Sequence, residues 1–314
     1  MAGDNNLDGA ALRDIEEMAR VGSTKDVNIL VQLDRLEDKK TRRFLITKGG
    51  GYDRDCVETF GETNTGDPKI LEDFLAWSIE RYPAERYFLI LWNHGSGWWE
   101  EAGNRATVRR ASDARLRRSG SRASLFRHNT NIPDHTAHRS ICYDDHSGGD
   151  ALDNRELKDV LARACLVIGK KIDILGMDAC LMTMVEVAWQ LRDSVEILVG
   201  SEIEEPNDGW PYAEILQFLA AKPKSKTHII AKEVVKQYVA SYRDQGETVT
   251  QSAINTVATI EIIQTLIPYT SSSSYGTALK VGLLNTILVS VLGIIAATII
   301  GLSLIHISEP TRPY

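Results

Sequence analysis

The sequence predicts an α/β protein built on a mostly parallel sheet with helices on both faces. Three observations lead there. Short apolar runs alternate with helix-like segments along the chain, the pattern of strands joined by helical crossovers. The runs Tyr87–Trp92, Lys171–Met177 and Ile197–Gly200 are apolar along most of their length, as a strand buried on both faces requires. Two of them close on chemistry-bearing residues, Asn93-His94-Gly95 and Asp178-Ala179-Cys180. Ligands of open α/β sheets bind beyond the carboxyl ends of the strands, so residues far apart in sequence can meet there.

The elements follow in order. Leu7 to Val21 carries Leu7, Ala11, Ile15 and Met18 at helical spacing, with Asp8 and Asp14 toward its start. Val27 to Leu33 reads as a strand ending at Asp34, and Arg43 to Thr47 as another. Gly49-Gly50-Gly51 is a turn, without the residues that would make it a phosphate loop. Asp67-Pro68 opens a helix running to about Tyr82, with proline at the first helical position. Residues 153–166 read as a helix capped by Asp153 or Asn154, Leu181–Leu191 as a second helix and Lys226–Gln245 as a third.

Composition bounds the function. The 314 residues suffice for one large domain or two ordinary ones. A net charge of −7 argues against a general nucleic-acid binder. Cys56, Cys142, Cys165 and Cys180 form no CxxC pair, so neither a zinc site nor a disulfide framework is indicated. Nothing at the N-terminus has the pattern of a signal peptide: Met1 leads directly into turn chemistry at Ala2-Gly3-Asp4-Asn5-Asn6.

Two segments depart from the alternating pattern. Residues 100–139 form a basic stretch rich in Arg, Ser, Asn and His that cannot bury enough apolar surface to fold alone, and it reads as a flexible insertion. Residues 281–305 contain no charged side chain and are long enough to cross a bilayer. The run from Gln264 through Gly301 resembles the start of an amino-acid ABC-transporter permease, and residues 304–314 look like a translated adapter sequence. Residues 260–303 are therefore read as a chimeric hydrophobic helix joined to a domain spanning 1–259. Only if that tail is genuine is a membrane-spanning anchor expected.

Cysteine paired with histidine is a nucleophile with its acid/base. His128, His135 and His138 lie in the basic insertion and His228 on a predicted helix, leaving His146 beside Asp144-Asp145 as the competitor of His94. Together with Ala2–Leu7, Val31–Arg35, Tyr143–Asp150 and Ser201–Tyr212, the His-Gly and Asp-Ala-Cys motifs resemble the clostripain family of cysteine peptidases over residues 2–258. The resemblance implies a caspase-like fold. It also implies an apolar strand immediately before the Ala-Gly-Asp-Asn-Asn turn, where Met1 stands here. Cys180 lies 86 residues beyond His94, against about 50 in caspases. Removing residues 100–138 leaves 47.

On this reading Cys180 attacks the scissile carbonyl and His94 moves the proton, as a dyad without a third orienting residue. The N–H groups of Gly95 and Cys180 would form the oxyanion hole. Asp178 and Asp208 match the family's acidic S1 positions, where carboxylates hold a guanidinium by paired hydrogen bonds, so cleavage after Arg is expected, with Lys less favoured. Each of the two also has a plainer role, Asp178 as a helix cap and Asp208 as a turn residue. The expected partners are proteins or peptides with Arg or Lys at P1, and the resemblance implies a bacterial secreted or cell-envelope setting. Family members mature by cleavage between the His and Cys motifs, and Arg105, Arg109, Arg110, Arg115, Arg117, Arg118, Arg122, Arg127 and Arg139 offer sites for self-processing. No cofactor is required by this chemistry. Calcium dependence in some relatives raises Asp144-Asp145 or Glu202-Glu204-Glu205 as oxygen donors. Neither has the spacing of a defined calcium loop, and solvated acidic surface is the favoured reading.

Overall fold

The computed structural model describes residues 1–98 and 140–258. The chain divides into two compact units, Met1–Thr256 and Val257–Tyr314, and the first carries the elements that follow.

In chain order, β1 (Ala2–Gly3) leads through a polar turn into α1 (Asp8–Val21), followed by β2 (Leu30–Arg35), β3 (Lys40–Leu45) and β4 (Cys56–Thr59). Helix α2 (Pro68–Arg81) starts where the sequence places it, with the Asp67 carboxylate accepting from the Lys69 N–H and Pro68 at the first turn. Then come β5 (Phe88–Trp92), β6 (Ser140–Asp144) and β7 (Asp150–Asp153). Helix α3 (Asn154–Ile168) settles its own cap: Asp153 and Glu156 form a reciprocal capping box, and Gly169 closes the helix in the left-handed conformation. The chain continues through β8 (Ile172–Asp178), α4 (Val185–Leu191), β9 (Val195–Gly200), α5 (Tyr212–Ala221), α6 (Thr227–Tyr242) and β10 (Ser252–Asn255).

Helices do cover both faces. On β9, Ile197 and Val199 join the core formed with α1, α5 and α6, whereas Leu198 between them joins the core formed with α2, α3 and α4. On β8, Ile174 faces the first core, and Leu175 and Met177 face the second. This alternation is the period-two signature of a strand buried on both sides. Gly176 lies on the first face, where the Trp210 ring takes the room of a side chain: a Cβ would sit 2.9 Å from it.

The expectation of a mostly parallel sheet needs correction. Strands β5, β8 and β9 are parallel, and so are β1 and β2, but β10 pairs antiparallel with β9, and β2, β3 and β4 form an antiparallel meander. The strands lie in two four-stranded sheets, ordered β1-β2-β3-β4 and β10-β9-β8-β5, beside a β6–β7 hairpin. A cleft of about 690 Å³ is lined by Leu30 and Gln32 of β2 and by Phe88 and Ile90 of β5, among others.

Among the described residues no helix is long and apolar enough to cross a membrane. The hydrophobic run at 281–305, the adapter-like residues 304–314 and the whole basic insertion at 100–139 lie outside the described residues.

Candidate active site

Trp92 of β5 stands in register with Asp178 of β8, and the Asn93 N–H donates to the Asp178 carbonyl oxygen at 3.2 Å. His94 and Cys180 therefore each leave their strand two residues beyond a matched pair, at the same edge of the same sheet. The two segments touch: a Cβ on Gly95 would lie 2.6 Å from the Cys180 carbonyl oxygen and 3.1 Å from the Ala179 Cβ. Glycine at 95 is what lets the strand ends approach this closely.

Several side chains hold His94 and its strand end in place. Its Nε2 lies 2.7 Å from the Asn6 Oδ1, a residue in the turn that closes β1. Asn93 ties three strands together: its amide nitrogen donates to the Ala2 carbonyl, and its oxygen accepts from the Tyr143 N–H at 2.7 Å. Asn5 braces the same turn, donating to the carbonyls of Ala2 and Tyr143 at 3.0 and 2.9 Å and accepting from the Leu7 N–H at 3.0 Å. Sequence reasoning found the Asp4-Asn5-Asn6 run but gave Asn6 no role. The available signal was a short polar side chain in a tight turn at a strand's carboxyl end.

Cys180 is 1% exposed, and its sulfur accepts a hydrogen bond from the Glu205 N–H at 3.2 Å. Burial, and then the neighbouring carboxylates of Glu205, Glu204 and Asp178, push its thiol up to about 12. A neutral, covered thiol is a resting group. Leu181, directly after it, has φ of 65°, a left-handed conformation that costs a β-carbon residue energy. The helix expected from Leu181 consequently begins at Val185. Residues 181–183 instead pair with the segment after β9, through Leu181 N–H to Ile203 O at 3.1 Å and Thr183 N–H to Ser201 O at 3.1 Å. That segment, running on to Glu205, covers the sulfur.

The two candidate S1 carboxylates differ. Asp178 is buried, and its Oδ2 accepts from the Tyr212 hydroxyl at 2.8 Å and from the Trp210 N–H at 3.3 Å. Burial raises it to about 6 against those stabilising hydrogen bonds. Glu205, also buried, stands beside it and is held well above the usual carboxylate range, by burial first and the Asp178 charge second. Two adjacent buried carboxyls share the cost of ionisation, so the pair retains a proton. Asp208 is exposed on the turn closed by the Gly209 N–H to Pro206 O bond at 3.0 Å. Asp178 thus serves the loop rather than capping α4, whose first residue is seven positions later.

His146 is engaged elsewhere. Its Nδ1 lies 2.8 and 2.7 Å from the two oxygens of Asp4. Of the acidic residues raised from sequence as calcium donors, Asp144 is buried in a carboxylate group with buried Asp4 and Asp34 and exposed Glu62. Glu202 and Glu204 are exposed, and Glu205 faces Asp178.

Fold and site together define an α/β protein with a cysteine and a histidine at neighbouring ends of parallel strands. The chain belongs to the Clostripain family of cysteine peptidases, whose model matches residues 1–112 and 125–269. It is 29% identical over 250 residues to clostripain of Hathewaya histolytica, covering 69% of this chain and 40% of that protein. The chain therefore spans less than half the length of this relative. The fold resembles that of a secreted C11 cysteine protease from Bacteroides thetaiotaomicron solved with an irreversible peptide inhibitor, with a TM-score of 0.61, 22% identity, and coverage of 87% of this chain and 70% of that one. An inactive zymogen C11 protease from Parabacteroides distasonis gives 0.57 and 21%, covering 87% and 65%. A 44-residue stretch is 59% identical to the general L-amino acid transport system permease protein AapQ of Rhizobium johnstonii, covering 14% of this chain and 11% of that protein.

Proposed function

We propose that this chain is a cysteine endopeptidase cleaving after Arg, and less well after Lys, with Cys180 as nucleophile and His94 as acid/base. The observation that carries the reading is the matched exit of His94 and Cys180 from two neighbouring parallel strands. Cys180 Sγ attacks the scissile carbonyl as its proton passes to His94, which then protonates the departing amine. Water hydrolyses the resulting thioester, with His94 accepting its proton. The N–H groups of Gly95 and Cys180 are the proposed donors to the oxyanion. Asp178 and Asp208 are the proposed anchors for the P1 guanidinium, a planar cation that carboxylates hold better than they hold an ammonium.

Covering of the thiol by the 201–205 segment supports a resting form that processing must open. The Arg-rich stretch between the two motifs supplies the sites for self-cleavage. The peptidase domain is taken to span 1–259, with a bacterial secreted or cell-envelope setting.

The covered thiol also favours a second reading, an inactive caspase-like binding domain. Hydrolysis of peptides with Arg, Lys or Asp at P1 separates the two. Cleavage in the order Arg, Lys and then Asp supports the enzyme; no turnover of any substrate, even after proteolytic nicking of residues 100–139, supports the binding domain. Preference for Asp rejects the assigned S1 residues. Intact-mass measurement on the parent and on Cys180→Ala tests self-processing: fragments in the parent alone support it, and identical intact chains remove it.

A further inference from the structure

Glu205 sits between the candidate nucleophile and the candidate S1 carboxylate. Its N–H donates to the Cys180 sulfur at 3.2 Å, and its own carboxyl stands beside that of Asp178. The residue is 1% exposed.

The two adjacent carboxyls are held differently. Asp178 Oδ2 accepts from the Tyr212 hydroxyl at 2.8 Å and from the Trp210 N–H at 3.3 Å. Glu205 Oε1 and Oε2 are both buried, and neither has a hydrogen-bond partner among the described residues. Leaving a carboxyl unsatisfied away from water is costly, so this one is set up for a donor that arrives from outside. The loop crosses Asp178 through Gly209, where a Cβ would lie 3.1 Å from both carboxylate oxygens, so no side chain is set against them from that position. Gly209 has φ of 57°, a conformation that further disfavours any side chain there.

We propose that Glu205 is a specificity-determining residue that, together with Asp178, takes the P1 guanidinium of the substrate. This role rests on the peptidase reading and adds a third carboxyl to Asp178 and Asp208. A guanidinium is a planar array of N–H donors that can span two carboxyls at once, whereas an ammonium is a compact point charge. It would supply the donors that both Glu205 oxygens lack, and its charge would offset the repulsion between two neighbouring carboxylates. Glu205 belongs to the segment that covers the sulfur, so a movement that uncovers Cys180 uncovers this carboxyl with it.

Steady-state hydrolysis of matched Arg and Lys peptides by the processed full chain and by Glu205→Gln tests the assignment. Glu205→Gln should lower kcat/KM for the Arg peptide by about 10- to 100-fold, mainly through KM, as loss of one charge-assisted hydrogen bond to a bound group does. The Lys peptide should lose less, so the Arg-to-Lys ratio narrows. Structural damage alone would lower both alike. Glu205→Asp keeps the charge on a shorter arm and should retain more of the ratio than Glu205→Gln. If Glu205→Gln fails to fold, a narrowed ratio in Glu205→Asp supports the role. An unchanged ratio in the variant that folds, or a parent that cleaves without favouring Arg, overturns the role of Glu205 and leaves the Cys180–His94 chemistry standing. A parent that turns over neither peptide overturns the peptidase reading, and this role with it.

Discussion

Asn6 Oδ1 lies 2.7 Å from His94 Nε2, joining the turn after the first strand to the end of the fifth. An acceptor at that distance fixes the ring's orientation and favours a proton on Nε2, directing the other nitrogen's lone pair elsewhere. Asn6 is exposed, so its loss leaves the core intact. Asn6→Ala should fold normally, by circular dichroism and Tm. Its kcat should drop roughly tenfold to hundredfold, short of losing the acid–base group itself. The pH–rate profile should shift with it, which a merely structural role for Asn6 would not produce.

Asp208 is the accessible member of the proposed S1 pair. Asp208→Asn should lower kcat/KM for Arg substrates by about 10- to 100-fold, the equivalent of one charge-assisted hydrogen bond. Stability should be unchanged. Steady-state kinetics on matched Arg and Lys peptides reads this directly, and an unaltered Arg preference would remove Asp208 from the pocket.

Gly95 permits the close contact between the two strand ends. Gly95→Ala places a methyl 2.6 Å from the Cys180 carbonyl and 2.7 Å from the Met182 Cγ, and backbone cannot yield as a flexible side chain does. The expected cost is about 1–3 kcal/mol of stability, with activity falling further because the strand end carrying His94 is displaced. Denaturant unfolding together with peptide hydrolysis would check both parts.

Asp14, buried in α1, is raised to about 9, first by burial and then by the Asp178 charge. Its folded-state pKa exceeds its unfolded value, so the native state holds this proton after the unfolded chain has released it. The stability attached to it is complete at low pH and falls as pH rises from about 4 through about 9. Asp14→Asn, which cannot ionise, should lose less Tm than the parent between pH 5 and pH 8. Parallel Tm–pH slopes would show that Asp14 does not carry this pH dependence.

Legibility in the sequence followed local chemistry. Helix α2 was readable from Asp67-Pro68, and α3 from its capping residues, because a cap is written within four positions. The apolar runs of β5 and β8 were readable because burial on both faces leaves them no polar alternation. The short strands β4, β6 and β7 lacked that mark: β7 is Asp150-Ala151-Leu152-Asp153, whose polar ends read as loop. Helix α5 was hidden behind the Pro206–Pro211 turn. At the site, the positions of His94 and Cys180 followed from two strand ends, but Asn6 and Glu205 reach them across the tertiary fold. Leu181 shows the limit most clearly: its left-handed backbone and its bond to Ile203 override a sequence that reads as helix.

The central claim is that Cys180 and His94 act as one unit on an Arg-bearing substrate. Its most direct test is labelling with an Arg acyloxymethyl ketone, read by peptide mass spectrometry on processed protein. The account predicts a single adduct on Cys180, reduced at least about a hundredfold in rate by His94→Ala. An adduct on another cysteine, or equal labelling in His94→Ala, would contradict it.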